Sequence, residues 1–307
     1  MMSVYGEIAA LLTSVCWAFN SVVFTRAGKR VSSQTVNHMR IWIAFIAMCV
    51  VHLLLSGSVF PFKIEGQRLF YLGISGVIGF VIGDGLLFES FLLIGPRLAT
   101  LLMLLAPVFS SILAWIILGE ALFSLEIIGI LVTMAGIAWV VAERTNTPNK
   151  SHAKRGPKYA LGVALGIGGA VGQAVGLLFS RLGLEGGYSA VSANHVRVTA
   201  AAAALLVIGL FKGDILTHIT KMRNKIALLE IGSGALTGPV LGVILSLEAI
   251  AHTHIGVAAT LMSLSPVLLL PASHFLFKEK ITARAIIGTI IALVGAALLF
   301  FPPVPGT

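Results

Sequence analysis

Charge is scarce in this chain of 307 residues: Asp, Glu, Lys and Arg together make up 11% of it, where a soluble domain carries about 25%. So few ionisable groups cannot wet the surface of a water-soluble fold of this length. Cysteine is nearly missing too. Cys16 and Cys49 show no CxxC spacing, so neither a disulfide framework nor a cysteine metal cluster is expected. No GxxxxGK[ST] segment is present to cradle ATP phosphates and no HExxH pair to hold a catalytic zinc. A nucleotide-driven pump and a zinc protease are thereby left without their chemistry, and no cofactor or metal site is read from the sequence.

Apolar residues fill the space that charge leaves. They make up 57% of the chain, and the mean hydropathy is +1.00. Runs near the length needed to cross roughly 30 Å of hydrocarbon recur at about 7–24, 35–55, 68–92, 97–118, 124–142, 159–180, 190–211, 226–250, 256–277 and 283–301. The first run lacks the basic flank of a signal peptide and counts as a span. The expectation is an all-α polytopic membrane protein with ten transmembrane helices, multi-pass in a bacterial-type inner (plasma) membrane, with the lipid bilayer as its partner. The net charge of +9 then belongs to loops rather than to a nucleic-acid site. Odd-numbered loops and adjoining helix ends hold seventeen Lys and Arg residues and the opposite side holds four, Lys63, Arg68, Arg181 and Arg197. By the positive-inside rule that places both termini outside.

Residues 73–136 reappear, shifted by 159 positions, as residues 232–295: Gly73 with Gly232, Gly79 with Gly238, Glu89 with Glu248, Pro107 with Pro266, Glu120 with Glu279 and Gly136 with Gly295. Upstream, NHMR (Asn37 to Arg40) matches NHVR (Asn194 to Arg197) at an offset of 157. The chain thus divides into a first five-helix repeat (1–143), a basic linker (144–158) and a second repeat (159–307). An odd number of spans per unit forces the second to enter the membrane in the opposite direction. Two inverted five-helix repeats are a secondary-transporter architecture, with equivalent conformations open to either side.

The segment CWAFNS around Trp17, NHMR, the stretch GDGLLFESFLLIGPRLATLLMLLAPVFSSILAWIILGE from Gly83 to Glu120 and its counterpart ATLMSLSPVLLLPASHFLFKEK from Ala259 to Lys280 resemble the drug/metabolite transporter superfamily, in its EamA-like branch of ten-helix permeases. The resemblance implies metabolite transport through a central cavity walled mainly by spans 1, 3, 4, 6, 8 and 9. It also implies termini in the cytoplasm, opposite to the charge count.

Symmetry sorts the candidate residues. A hinge must serve both conformations and should repeat, whereas a chemically asymmetric substrate should be held by residues that break the repeat. Pro107 and Pro266, with the Gly238-Pro239 break in span 8, are expected as hinge or gating sites. The paired acids Glu89 and Glu248, and Glu120 and Glu279, are expected in the scaffold. Asp84 meets Val243 across the repeat. Lying deep in span 3, where a charge is costly, it is the candidate for substrate binding and for proton coupling. Trp17, Asn20 and Gln173 also break the repeat, and Ser265 adds polarity beside Pro266; these complete the substrate-binding set. Asn37 and Asn194 are expected as helix N-caps, with Arg40 and Arg197 snorkelling to the interface. The glycines from Gly162 to Gly176 read as a helix-packing face.

The expected function is a secondary transporter, an exporter, of a small polar metabolite such as an amino acid, by alternating access with proton coupling or facilitated exchange. A membrane channel or scaffold protein, and an intramembrane enzyme, are the alternatives weighed; the enzyme is set aside because no catalytic constellation is present.

Overall fold

In lipid an isolated apolar run satisfies its backbone polar groups by coiling into a helix. The structure, a computed structural model, describes residues 4–119, 123–142, 156–252, 261–278 and 281–299. The first half comprises α1 (Val4–Val31), α2 (Ser33–Ser56), a third span built from α3 (Gly66–Gly76), a π-helical segment π1 (Val77–Gly83) and α4 (Asp84–Ile94), a fourth from α5 (Pro96–Leu102) and α6 (Leu105–Leu118), and α7 (Ser124–Val141). The second half repeats the plan with α8 (Pro157–Leu184), α9 (Ala190–Lys212), a short connecting α10 (Ile215–Lys221), an eighth span of α11 (Lys225–Ala235), π2 (Leu236–Gly242) and α12 (Val243–His252), then α13 (Ser265–Phe277) and α14 (Ala283–Leu298). Among the described residues eight helical spans are long and apolar enough to cross a membrane, and two shorter apolar helices, α13 and α14, hold the ninth and tenth places.

Burial is inverted relative to a soluble protein. Thr13, Ser14, Thr25, Ser75, Ser90 and Thr133 are fully buried, while Leu54, Phe211, Phe275 and Leu229 lie bare on the outside. Lipid accepts the exposed side chains at no cost, so apolar burial does not drive these helices together; close packing and interhelical hydrogen bonds do.

Glycine supplies the close packing. On α8 a Cβ at Gly172 would stand 2.7 Å from the Gly83 Cα, and one at Gly176 would stand 3.1 Å from the Gly79 Cα. The seam read from the sequence is thus a backbone-to-backbone contact with π1, fastened by hydrogen bonds from Ser75 Oγ to the Gly176 carbonyl at 2.5 Å and from Ser90 Oγ to the Gly162 carbonyl at 2.8 Å. The same device joins α7 to α14. A Cβ at Gly129 would lie 2.8 Å from the Gly295 carbonyl oxygen, and one at Gly136 would lie 2.8 Å from that of Gly288. Gly129 and Gly288 are repeat partners, as are Gly136 and Gly295, so the contacts are reciprocal, as a two-fold relation between halves requires.

Several local expectations change. Asn37 and Asn194 cap nothing: Ser32 caps α2 through the Thr35 amide and Ser189 caps α9 through the Ser192 amide. Both asparagines lie inside their helices and are buried. Pro107 and Pro266 do not interrupt continuous helices. Each falls in the first turn of a helix that follows a break, at Met103–Leu104 and just before Ser265, where an absent N–H costs little. The irregularity at Gly238-Pro239 is the π2 segment, and π1 matches it at the repeat offset with Phe80 where π2 has Pro239. Proline is therefore not what widens these helices.

The α8 seam yields a paired test. Gly172→Ala meets backbone and should lower stability by about 1–3 kcal/mol. Gly168→Ala meets only the Leu86 side chain, 3.1 Å away, and should be neutral or slightly stabilising because alanine favours the helix. Thermal unfolding midpoints in detergent give the comparison; equal effects at the two sites would refute the seam.

Candidate functional site

Carbonyl oxygens of a π-helical turn can accept from side chains in addition to the backbone ladder. In π1 three successive carbonyls do so. Gly79 accepts from Gln173 Nε2 at 3.3 Å, Phe80 from Arg40 Nη2 at 3.2 Å, and Val81 from Asn37 Nδ2 at 3.1 Å. In π2 the Pro239 carbonyl accepts from Asn194 Nδ2 at 2.8 Å. The two asparagines of the repeated NHxR motif thus clasp the two π segments.

Asp84 follows π1 directly, its amide bonded to the Gly79 carbonyl five residues back. Its Oδ2 accepts from Arg40 Nη2 at 2.5 Å and its Oδ1 from Gln173 Nε2 at 2.5 Å. Arg40 is 3% exposed and further held by Asn37 Oδ1, which accepts from Nε at 3.1 Å and from Nη2 at 2.9 Å. Phe88, Phe24 and Phe80 face its guanidinium with ring centroids at 4.7, 5.9 and 6.0 Å, a stacking that suits the weakly hydrated planar cation.

A second arginine approaches from the other half. Arg197 stacks on Phe80, 4.6 Å from the centroid, and lies close enough to Asp84 to be attracted by it. It makes no ion pair within 4.0 Å among the described residues, and its buried Nε has no hydrogen-bond partner among them. Both arginines sit seven residues into their helices, about 10 Å of rise, but α2 and α9 enter from opposite faces. Two cations therefore reach the middle from the two sides of the membrane, meeting one carboxylate. Neither snorkels to the interface, and removing both from the loop tally leaves sixteen basic residues against three.

The other expected residues fall elsewhere. Of the substrate-binding set, Asp84 and Gln173 are brought together. Asn20 faces π2 instead: its Oδ1 accepts from Thr237 Oγ1 at 2.8 Å, beside the bare backbone of Gly238. Trp17 stands near Gly242 on the same seam, 38% exposed. Ser265 donates within its own segment, to the Met262 carbonyl at 3.0 Å. Glu89 accepts from Ser33 Oγ, tying span 3 to the start of α2, while Glu248 pairs with His252 one turn along at 3.3 Å. Glu120 and Glu279 lie outside the described residues. Arg40, Arg197, Asn37 and Asn194 were assigned from the sequence to helix ends; their repetition as NHxR was visible, but their inward direction was not.

Comparison with known proteins agrees with this architecture. The family model described as the EamA-like transporter family matches residues 4–142 and 160–301. Among curated proteins none matches. A solved structure, titled only "Crystal structure of protein", superposes with a TM-score of 0.64 at 16% identity over 95% of each chain, which bears on the fold alone.

The Arg40–Asp84 pair is testable as a unit. Asp84→Ala strands a buried guanidinium and should cost about 3–5 kcal/mol, read as a lower unfolding midpoint in detergent. The double variant Arg40→Met/Asp84→Leu should recover much of that loss, because no desolvated pair remains. A single variant as stable as the parent protein would mean the pair contributes nothing.

Proposed function

The chain belongs to the EamA-like transporter family, of the drug/metabolite transporter type, and from that premise we propose a secondary transporter whose small polar substrate carries a carboxylate or similar anionic group, as an amino acid does. One observation carries the reading: two guanidinium groups converge on one carboxylate, with Arg197 left without an ion-pair partner. An uncompensated cation inside a membrane is expensive. An anionic substrate group supplies the missing charge, and a guanidinium binds it through paired, charge-assisted hydrogen bonds.

The proposed mode is alternating access, and the geometry of the halves supports it. The arginines enter from opposite faces, the π segments repeat, the break before α6 divides the fourth span into shorter rods, and a break also precedes α13. Pro107 and Pro266, together with Gly238 and Pro239 in π2, lie beside these places, where bending disturbs fewest backbone hydrogen bonds. Asn20 and Trp17 along π2 are the proposed second wall, with Ser265 at the head of α13. With no nucleotide motif to supply energy, the substrate moves down a gradient, which is outward for a metabolite accumulated inside.

Both Asp84 oxygens already accept hydrogen bonds, and a proton arriving there would discharge the pair with Arg40 and leave a buried guanidinium without its counter-charge. The proposal is therefore facilitated movement or exchange, with Asp84 the fixed partner of Arg40. Proton coupling through Asp84 is the second reading, in which the carboxylate takes up and releases a proton in each transport cycle.

Proteoliposome flux with a panel of anionic, zwitterionic and cationic metabolites tests both. Anionic or zwitterionic compounds should be carried, and Arg197→Gln should lower their flux about tenfold or more, the effect of losing one charge-assisted hydrogen bond. Transport of cations alone would refute the reading. An imposed pH gradient should leave the initial rate unchanged; a rate that follows the gradient and loses that dependence in Asp84→Asn would establish proton coupling instead.

A further inference from the structure

Away from the central arginines, three side chains converge where the connection between the seventh and eighth spans meets the start of α2. His38 on α2, with Asp214 and His218 at the beginning and end of α10, place one donor atom each within 4.8 Å of one another. His218 is 4% exposed. His38 Nε2 is buried with no hydrogen-bond partner among the described residues, and the buried His218 Nε2 and Asp214 Oδ1 face only each other, at 3.4 Å. An orphaned imidazole nitrogen beside one long His–Asp contact leaves these buried polar atoms poorly paired, and a cation bound among the three donors satisfies them.

We propose that His38, Asp214 and His218 form a binding site for a divalent transition metal ion of the zinc type. Two imidazoles and a carboxylate are a zinc donor set, with the fourth tetrahedral position left for water or another ligand. The ring nitrogens behind the donors are engaged as well, as in such sites. His38 Nδ1 lies 2.9 Å from the Gln34 carbonyl, which can only accept, so Nδ1 carries the proton and Nε2 keeps its lone pair. His218 Nδ1 meets Thr35 Oγ1 at 2.9 Å, and that hydroxyl in turn meets Ser32 Oγ at 3.1 Å.

Spacing agrees. His218 Nε2 and Asp214 Oδ1 stand 3.4 Å apart, and donors bound tetrahedrally at about 2.0–2.2 Å lie about 3.3–3.6 Å apart. The two imidazole rings stack at 4.3 Å with 29° between planes; an ion closes the site by tilting His38 toward the other two donors. Bound there, it ties α10 to the first turns of α2, two residues before Arg40.

The test uses full-length protein with its affinity tag removed, stripped with EDTA and titrated with Co2+ and then Zn2+. A single equivalent of Co2+ should bring up the visible absorption of a tetrahedral cobalt site, Zn2+ should displace it, and Zn2+ should raise the unfolding midpoint. Asp214→Asn, which keeps the side-chain volume, and His218→Ala should each lower affinity at least tenfold and abolish the shift in midpoint. Thr35→Val, acting behind His218, should lower affinity by about 10–100-fold. If His218→Ala fails to fold, Asp214→Asn and Thr35→Val carry the test. Absence of saturable binding in the parent protein, or binding unchanged in Asp214→Asn, overturns the proposal; the latter would place the metal on histidines elsewhere.

Discussion

A guanidinium buried in a membrane must bring its own solvation with it. Arg40 has Asp84, Asn37 and the Phe80 carbonyl within hydrogen-bond reach and aromatic rings around its faces. That one requirement organises the centre of the protein. The Phe80 carbonyl that Arg40 reaches lies within π1. Asp84 is presented to Arg40 because π1 ends just before it. The glycines of α8 allow Gln173 to come close enough to hold the second carboxylate oxygen. Remove the charge, and little reason remains for the π turn, the asparagine clasp or the tight seam to coincide at this depth.

Duplication explains why the arrangement exists in two imperfect copies. NHxR, the π segment and the small-residue seams recur in both halves, and the reciprocal glycine contacts of α7 and α14 join those halves about their two-fold relation. The acid occurs once. In the first half the arginine is satisfied by its own repeat, while in the second Val243 stands where an acid would be and Arg197 turns toward the Asp84 of the other half. A symmetric scaffold thus acquires a polar centre with a direction, which is what recognition of an unsymmetric metabolite needs.

The symmetry argument found Asp84 and Gln173 in the sequence, and the structure joins them through a hydrogen bond. It passed over Arg40 and Arg197 because they repeat, and repetition was taken to mean scaffold. Here the repeated residue and the unrepeated one act together: two repeat-equivalent cations become inequivalent because Arg40 alone pairs with the one anion. Their direction was misread because NHMR and NHVR lie near the starts of their helices, where arginine ordinarily reaches for headgroups. Helix α2 in fact begins at Ser33, which carries Arg40 two turns inward. His38, Asp214 and His218 stayed invisible for a different reason, since His38 lies far along the chain from the other two and no local spacing joins them.

From the sequence alone follow the membrane setting, the helical spans, the duplication, the inversion that five spans per half compels, and the family. All rest on properties that add along the chain: hydropathy, period and self-similarity. Tertiary structure decided which polar residues point inward, that the third and eighth spans each contain a π segment, and that Arg197 of the second half approaches the Arg40–Asp84 pair of the first. Those outcomes depend on the rotation and depth of each helix against its neighbours. In lipid, rotation and depth are set by where backbones can touch and buried polar groups can be paired, a condition that no single segment contains.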